Sequence, residues 1–519
     1  MRPTFVGMEV QKRTLQMAQK SLDITGNNIS NINTVGYTRQ RVDLYSMYVS
    51  GNQSLRWCSS TNNLSLTGQG VNSYGVSQIR DVYIDKRYRE NVGIEAETET
   101  TVNILSDIED VIDDFESDGL QYYTQQFFNA LQDYSVETPD STDVATIVVN
   151  NATNLCRLLY DYSTQLSEVE ETYVSELEDT VDYINNLVET INNLNQKIAK
   201  ELINYNEGYG PNELYDELNM YIDELATYAD IDVTENSNGT YSIAMAGQTD
   251  NLLVDGVNFK TNRIIMLDYE SSGIATLKFE SSEELNPSTG TLRSYINTIN
   301  GNGVYATGNQ NSYCGIAYYK SAINEFARTL ASVFNSANGA DEDSSRAMFT
   351  TSDGSNLITA ANIQVSEAWS DDPTMIGKVR TFNEETALYE YGYDEVTDET
   401  NGTVTLQNTN VLYLISQLDN DDIKFGNCND FQGSFYDYIS FVSNRLAEDI
   451  QYETSRYDAA VTTVDTLLDS RDSVSGVQLD EEGINMLNYQ KWYSASSRMV
   501  TTLDDILDRL INNTGRVGL

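Results

Sequence analysis

Histidine is absent from all 519 residues. Its absence removes Ser-His-Asp and Cys-His nucleophile systems, HExxH zinc sites and imidazole bases together. The four cysteines (Cys58, Cys156, Cys314, Cys428) stand far apart with no CxxC pair. Neither a zinc site nor a disulfide framework is expected, and they read as small semi-buried hydrophobes. Bases are scarce too: 31 Lys and Arg face 79 Asp and Glu, a formal charge of -48. That balance lacks the basic footprint that nucleic acid or anionic lipid requires, so no nucleic-acid partner is expected. No run approaches the roughly 18 apolar residues of a membrane span, and none is expected. The opening MRPTFVGMEVQKRTLQMAQK has no apolar h-region or small-residue cleavage site, so no cleaved signal peptide is expected. GxxxxGK[ST], GxGxxG and GxSxG elements are missing. No catalytic residue, metal ligand or cofactor is assigned, and no enzyme is expected. The acid-dense run 419–427 breaks EF-hand spacing at Ile423 and reads as a solvated loop.

With only five prolines and 31 glycines, long stretches run uninterrupted at helical period. In residues 169–206, Leu177, Val181, Ile184, Val188, Ile191, Ile198 and Leu202 form a heptad seam, with Asn195 in the remaining core slot. Residues 94–119 repeat the theme around Ile104, Leu105, Ile108, Val111, Ile112 and Phe115. Helices are also expected over 313–336 and over 435–470, the latter seamed by Phe441, Leu446, Ile450 and Val464. After residue 230 the period changes to two. Strands flank Asn238-Gly239, which predicts a hairpin with a type I′ turn, and further strand runs follow at 264–267 and 274–279. The fold class is therefore mainly α with β insertions, an α+β multidomain chain. Its expected parts are a terminal coiled coil (1–45 with 475–519), a helical rod domain (46–230 with 290–340 and 431–474), a β-rich domain (231–289) and a small α+β insertion or extension (341–430).

The two ends carry heptads of their own. Met8, Leu15, Leu22 and Ile29 are seven apart, with Ala18, Thr25 and Ile32 as companions. Met486, Tyr493, Val500 and Leu507 are seven apart, with Tyr489, Ser496, Leu503 and Leu510 as companions. Isolated helices of this length are insecure in water, so the ends are expected to pair with each other. An ordinary core helix at each end is an equal alternative on period alone. Tyrosine is abundant at 35 residues, a type that marks interfaces but fills cores as well.

The run SLDITGNNISNINTVGYTRQRV (21–42), paired with SGVQLDEEGINMLNYQKWYSASSRMVTTLDDILDRL from Ser475, resembles the flagellar axial proteins of rod, hook and junction. Tyr37-Thr38-Arg39-Gln40 points within them to the hook-associated protein 1 family of the hook-filament junction. The family commonly has Pro where Val35 stands, which leaves the helix stop to Thr34 and to Gly36 as a left-handed cap. The resemblance implies terminal helices in the innermost layer of a tube, with β-rich insertions facing outward. It implies a structural ring of about eleven copies, located in the extracellular flagellum and exported by the flagellar type III apparatus. The implied partners are further copies, hook protein, hook-associated protein 3 and an export chaperone. The N-terminal assembly residues are then Leu15, Leu22, Gly26, Asn27, Asn28, Ile29, Asn31, Ile32, Gly36, Tyr37, Arg39 and Gln40. The C-terminal ones, which include a possible chaperone site, are Leu479, Asp480, Met486, Tyr489, Tyr493, Val500, Leu503, Leu507 and Leu510. Asparagine amides near the end of the first helix suit contacts to neighbouring subunits, Gly26 suits close backbone approach, and Arg39 and Arg41 suit an acidic neighbour. Another axial protein (hook, distal rod or filament adaptor) and a secreted acidic coiled-coil adhesin are the alternatives.

Overall fold

A computed structural model describes residues 4–47, 70–112, 119–204, 210–248, 251–267, 269, 273–281, 284–383, 388–397, 404–426 and 431–512. Its elements begin with α1 (Thr4–Ser30), β1 (Gln40–Ser46), β2 (Val71–Gln78), α2 (Val82–Val111), α3 (Leu120–Val136), α4 (Thr142–Asn204) and α5 (Asn212–Tyr228). Four strands follow, β3 (Ile231–Glu235), β4 (Tyr241–Met245), β5 (Leu252–Asp255) and β6 (Lys260–Thr261), then β7 (Ile264–Met266), β8 (Leu277–Phe279) and β9 (Glu284–Leu285). The remainder comprises α6 (Thr291–Ile299), α7 (Ile316–Ala337), β10 (Phe349–Thr351), β11 (Ile363–Val365), α8 (Glu367–Asp371), β12 (Lys378–Asn383), β13 (Leu388–Thr397), β14 (Val404–Gln407), α9 (Thr409–Leu418), α10 (Phe435–Ser475) and α11 (Leu479–Asn512). The fold is mainly helical, with small sheets inserted. Two compact units divide the chain: residues 1–95, 183–264 and 459–519 form one, and residues 96–182 and 265–458 the other.

In the first unit α1 and α11 pack antiparallel, with Gly7 against the Leu503 side chain and Asn28 against Glu482. The chain leaving α1 returns as β1, which pairs antiparallel with β2 from Gln40↔Gln78 to Ser46↔Val71. Along α4 the heptad seam is buried from Leu177 through Ile198. Three amides on that helix bind the β strands. Asn195 exchanges hydrogen bonds with the backbone of Tyr241 (2.8 and 2.9 Å), and Asn185 does the same with Ile264 (2.9 and 2.9 Å). Asn192 donates to the Phe259 carbonyl at 3.2 Å. The core slot held by Asn195 is thus a helix-to-sheet clamp in which both ends of its buried amide meet a backbone partner.

The β3–β4 hairpin departs from the expected two-residue turn. Gly239 N donates to Asn236 O and Asn236 N to Thr240 O, so three residues close the loop as a turn with a left-handed glycine bulge. Gly239 alone there has positive φ (+77°), and a Cβ on it would lie 2.5 Å from Leu202 Cδ1 and 2.9 Å from Tyr215 Oη. Gly239→Ala is therefore expected to cost about 2 kcal/mol, seen as a lowered urea midpoint with unchanged slope.

The second unit is built on an aromatic core. Phe349 meets Trp369 edge-to-face at 5.9 Å, Phe326 meets Phe435 at 5.5 Å, and Phe425 stacks on Tyr438 at 4.1 Å. Ile104, Leu105 and Ile108 are fully buried as the heptad reading expects, while Phe115 lies outside the described residues. Two expectations fail. Phe441 is 39% exposed, and its neighbour Val442 takes the seam position of α10 instead. The acid-dense run is not wholly solvated, because Ile423 and Phe425 are buried within it. The described residues of 341–430 hold the β10–β11 pair, the β12–β13–β14 sheet and the helices α8 and α9. Cys156 is buried and Cys314 half-buried, both free, while Cys58 and Cys428 lie outside the described residues.

Candidate assembly site

The Asn-rich end of α1 folds back on its own chain. Helix α1 stops at Ser30, short of Thr34 and Gly36, where the Asn31 backbone N–H is shared between the Asn27 and Asn28 carbonyls and Thr34 N turns to Asn31 O. Gly36 is left-handed (φ +79°), but it closes the following turn rather than capping the helix, with Tyr37 N on Thr34 O. That turn returns Tyr37 to Asn28. Asn28, 1% exposed, accepts from Tyr37 Oη (2.8 Å) and Gln40 N (3.1 Å), and donates to Gln40 O (2.9 Å) and Glu482 Oε2 (3.3 Å). Arg39 completes the knot. Its guanidinium holds Glu482, 2% exposed, and Glu481 at 2.7–2.8 Å, and its backbone N–H donates to Ser475 O. One residue pair, Arg39 and Glu482, thereby ties the chain after α1 to the start of α11.

The contacts differ from expectation in four respects. Asn28, with Asn27 on Tyr37 and Asn31 on Asn27, satisfies its amide within the chain rather than toward a neighbour. Ile32 is 38% exposed beyond the helix end, so it does not pack the seam. Among the described residues no atom outside its own helix backbone lies within 4 Å of a Cβ placed on Gly26, so none of them brings a backbone close to it. Arg41 is exposed and pairs with Asp43. Leu15, Leu22 and Ile29 are half-buried, and the most buried stripe of α1 is Ala18, Ser21, Ile24, Thr25 and Asn28. On α11, Met486, Tyr489, Val500, Leu503 and Leu507 are half-buried on the face with buried Glu482 and Ser496, whereas Leu479, Asp480, Tyr493 and Leu510 are exposed.

Residues 8–38 match the family model of the flagella basal body rod protein, and residues 470–513 that of the flagellar basal body rod FlgEFG protein C-terminal. Residues 105–349 match the flagellar hook-associated protein FlgK helical domain. Flagellar hook-associated protein 1 of Bacillus subtilis (strain 168) is 26% identical, covering 99% of both chains. Its namesake from Escherichia coli (strain K12) is 23% identical over 96% of this chain and 98% of its own. The chain belongs to the flagellar hook-associated protein 1 family. The flagellar hook junction protein FlgK from Burkholderia pseudomallei shares the fold, with a TM-score of 0.56 and 12% identity over 75% of this chain and 100% of that one. Family membership makes this a structural component of the bacterial flagellum, an extracellular assembly built from self-associating subunits and hook-associated partners. Among the described residues no helix is long and apolar enough to cross a membrane.

Beside the knot this family member carries a second charged cluster that sequence reasoning missed. Arg471 of α10 bridges Asp85 (3.2 Å) and Asp223 (2.7 Å), with Arg80 on Asp85 and Arg89 on Asp223. Three bases of a base-poor chain meet there because each carboxylate is largely withdrawn from water and needs a cation. No linear motif announces it, since its members come from three helices and a loop. A cleft of about 890 Å³ opens between this cluster and the 31–38 turn. In its wall Asp216 accepts from Gln78 Nε2 at 2.8 Å. Burial raises the Asp216 carboxyl from 3.8 to about 6, against hydrogen bonds from Thr38 and the charge of Arg80. The folded chain therefore holds this proton more tightly than the unfolded chain. The stability involved is complete below about pH 4 and lost as pH rises through about 6. Asp216→Asn is expected to exceed the parent by about 2 kcal/mol at pH 7.5 and to match it near pH 4 in urea titrations. Equal midpoints at pH 7.5 would contradict this.

Proposed function

We propose that this protein joins hook to filament as a ring of about eleven subunits, contacting hook protein on one side and hook-associated protein 3 on the other. The observation that carries the reading is the antiparallel pairing of α1 and α11 fastened by Arg39 and Glu482. Pairing the ends leaves a second apolar stripe on α11, with Ile484 60%, Leu487 57%, Met499 49% and Ile506 46% exposed. A stripe of that kind on a helix already packed by its other face is suited to a neighbouring copy. The N- and C-terminal seam residues named above serve that assembly, with exposed Leu479, Tyr493 and Leu510 available to a neighbour or, before assembly, to an export chaperone. Export through the flagellar type III apparatus without a cleaved signal, the absence of catalysis, and the division into terminal, rod, β-rich and 341–430 parts belong to the same proposal.

Matches of both ends to rod-protein models support a second reading, another axial position. Deletion of the gene separates the two. Hooks without filaments, with flagellin monomer in the medium, are expected on electron microscopy and immunoblotting. Basal bodies lacking hooks would transfer the protein to rod or hook, and normal filaments would refute both.

A further inference from the structure

The second unit contains an aromatic pocket that terminal assembly does not use. It encloses about 300 Å³, at the lower end of small-ligand sites, between the 303–318 segment and the start of α10. Phe425 stacked on Tyr438 forms one wall, Phe431 against Phe441 at 4.9 Å another, and Tyr305 beside Tyr318 at 5.8 Å the third. The walls are held in place. Tyr438 Oη donates to the Ala322 carbonyl and pairs with Tyr305 Oη at 3.1 Å, and Gly303 has φ +52° with the Tyr318 ring 2.6 Å from any added Cβ. At the rim two apolar side chains face water, Val304 at 57% and Phe441 at 39% exposure.

The border of this pocket carries a guanidinium in a chain rich in acids. Among the described residues no carboxylate lines it, and the charged side chain that does is Arg445, oriented through Nε by Asp449 at 3.1 Å. A flat aromatic cavity bordered by a guanidinium selects a ring that carries or adjoins an anion, through ring packing and a charge-assisted hydrogen bond. Tyrosine is abundant in this chain, and one exposed tyrosine has the complementary form: Tyr160, 52% exposed, followed directly by exposed Asp161 on α4. Three other exposed tyrosines fit less well. Tyr452 is followed by a buried acid, Tyr183 already bonds Glu224, and Tyr413 adjoins exposed Leu412 rather than a charge.

We infer that this pocket is a docking site for the Tyr160-Asp161 segment of a second copy of the chain, the ring entering between Phe441 and Tyr305 and the carboxylate meeting Arg445. The inference rests on the self-assembly proposed above. It adds a contact between helical domains to those made by the terminal helices.

The test is site-specific photo-crosslinking in flagellated cells, with benzoylphenylalanine replacing half-exposed Phe441 in the full-length protein. The expected product is a covalent dimer whose cross-linked peptide contains residue 160. Arg445→Gln is expected to lower its yield about tenfold, the factor that one charge-assisted hydrogen bond supplies. A parallel substitution at exposed Leu487 of α11 reports terminal assembly independently. Dimers from position 487 with none from 441, or capture at 441 of another protein or another segment, would overturn this inference alone. Absence of dimers from both positions would overturn the assembly reading and this inference with it.

Discussion

Replacing Arg39 with alanine is expected to release α11 from the chain that follows α1 and to abolish stable filament attachment. Glu482 is 2% exposed and receives two hydrogen bonds of the Arg39 guanidinium, with Asn28 (3.3 Å) and Asn485 (3.4 Å) as longer amide donors. Removing the cation strands a buried carboxylate, and breaking such a pair from one side costs about 3–5 kcal/mol. Glu481, the other partner of Arg39, is 53% exposed and screened by water, so Glu481→Ala is expected to change stability by less than about 1 kcal/mol. Arg39→Met combined with Glu482→Leu removes both charges and is expected to recover most of the loss, because no uncompensated ion remains. Hydrogen exchange of the amides of residues 479–500 measures the release directly, and flagellin shed into the medium measures its consequence. If Arg39→Ala exchanges no faster than Glu481→Ala, the knot does not hold the ends together.

The knot also shows where reading the chain residue by residue reached its limit. A period of seven made the terminal pairing foreseeable, since Leu503 and Gly7 fall where antiparallel heptads meet. It could not tell which of two adjacent positions turns inward. Leu15, Leu22 and Ile29 make the stronger apolar column, yet Ala18, Ser21, Thr25 and Asn28 are more buried, because small and amide side chains admit the returning β1 segment. Asn28 illustrates the reason. Its amide has four partners, one at residue 37, two at residue 40 and one at residue 482, and only the last is remote in sequence. Propensity marks such an asparagine as a poor helix residue without naming its partner. The same holds for Asn195, whose place in the α4 seam was legible and whose pairing with the Tyr241 backbone was not. Helical cores repeat, and repetition is visible in one dimension. Buried polar contacts are single events between distant residues, so the candidate site was legible in its residues more than in its bonds.

The residue expected to matter most in the second unit was not singled out by any pattern. Arg346 is 4% exposed and is held by oxygen atoms rather than by a carboxylate. It donates through Nε to the Asn338 carbonyl (2.7 Å) and through a terminal nitrogen to Asn338 Oδ1 (2.8 Å), Met375 O (3.2 Å) and Lys378 O (2.9 Å). The Tyr391 ring lies 4.1 Å from the guanidinium carbon, which adds a cation–π contact. These bonds join the end of α7, the 373–378 turn and the start of β12, so the planar fork fixes three segments at once. Burial lowers the affinity of the guanidinium for its proton, with Tyr391 and Asp343 opposing the shift, but an arginine stays charged and keeps donating. Arg346→Ala leaves three buried carbonyls without this donor and opens a side-chain-sized gap, an expected loss of about 4 kcal/mol in urea unfolding. Arg346→Lys is the sharper test. An ammonium carries the same charge but cannot present the fork that reaches Asn338 on one side and Lys378 on the other, so it is expected to lose about 2 kcal/mol or more. Full recovery by lysine would mean that charge alone holds the three segments, and the geometry of the fork would be incidental.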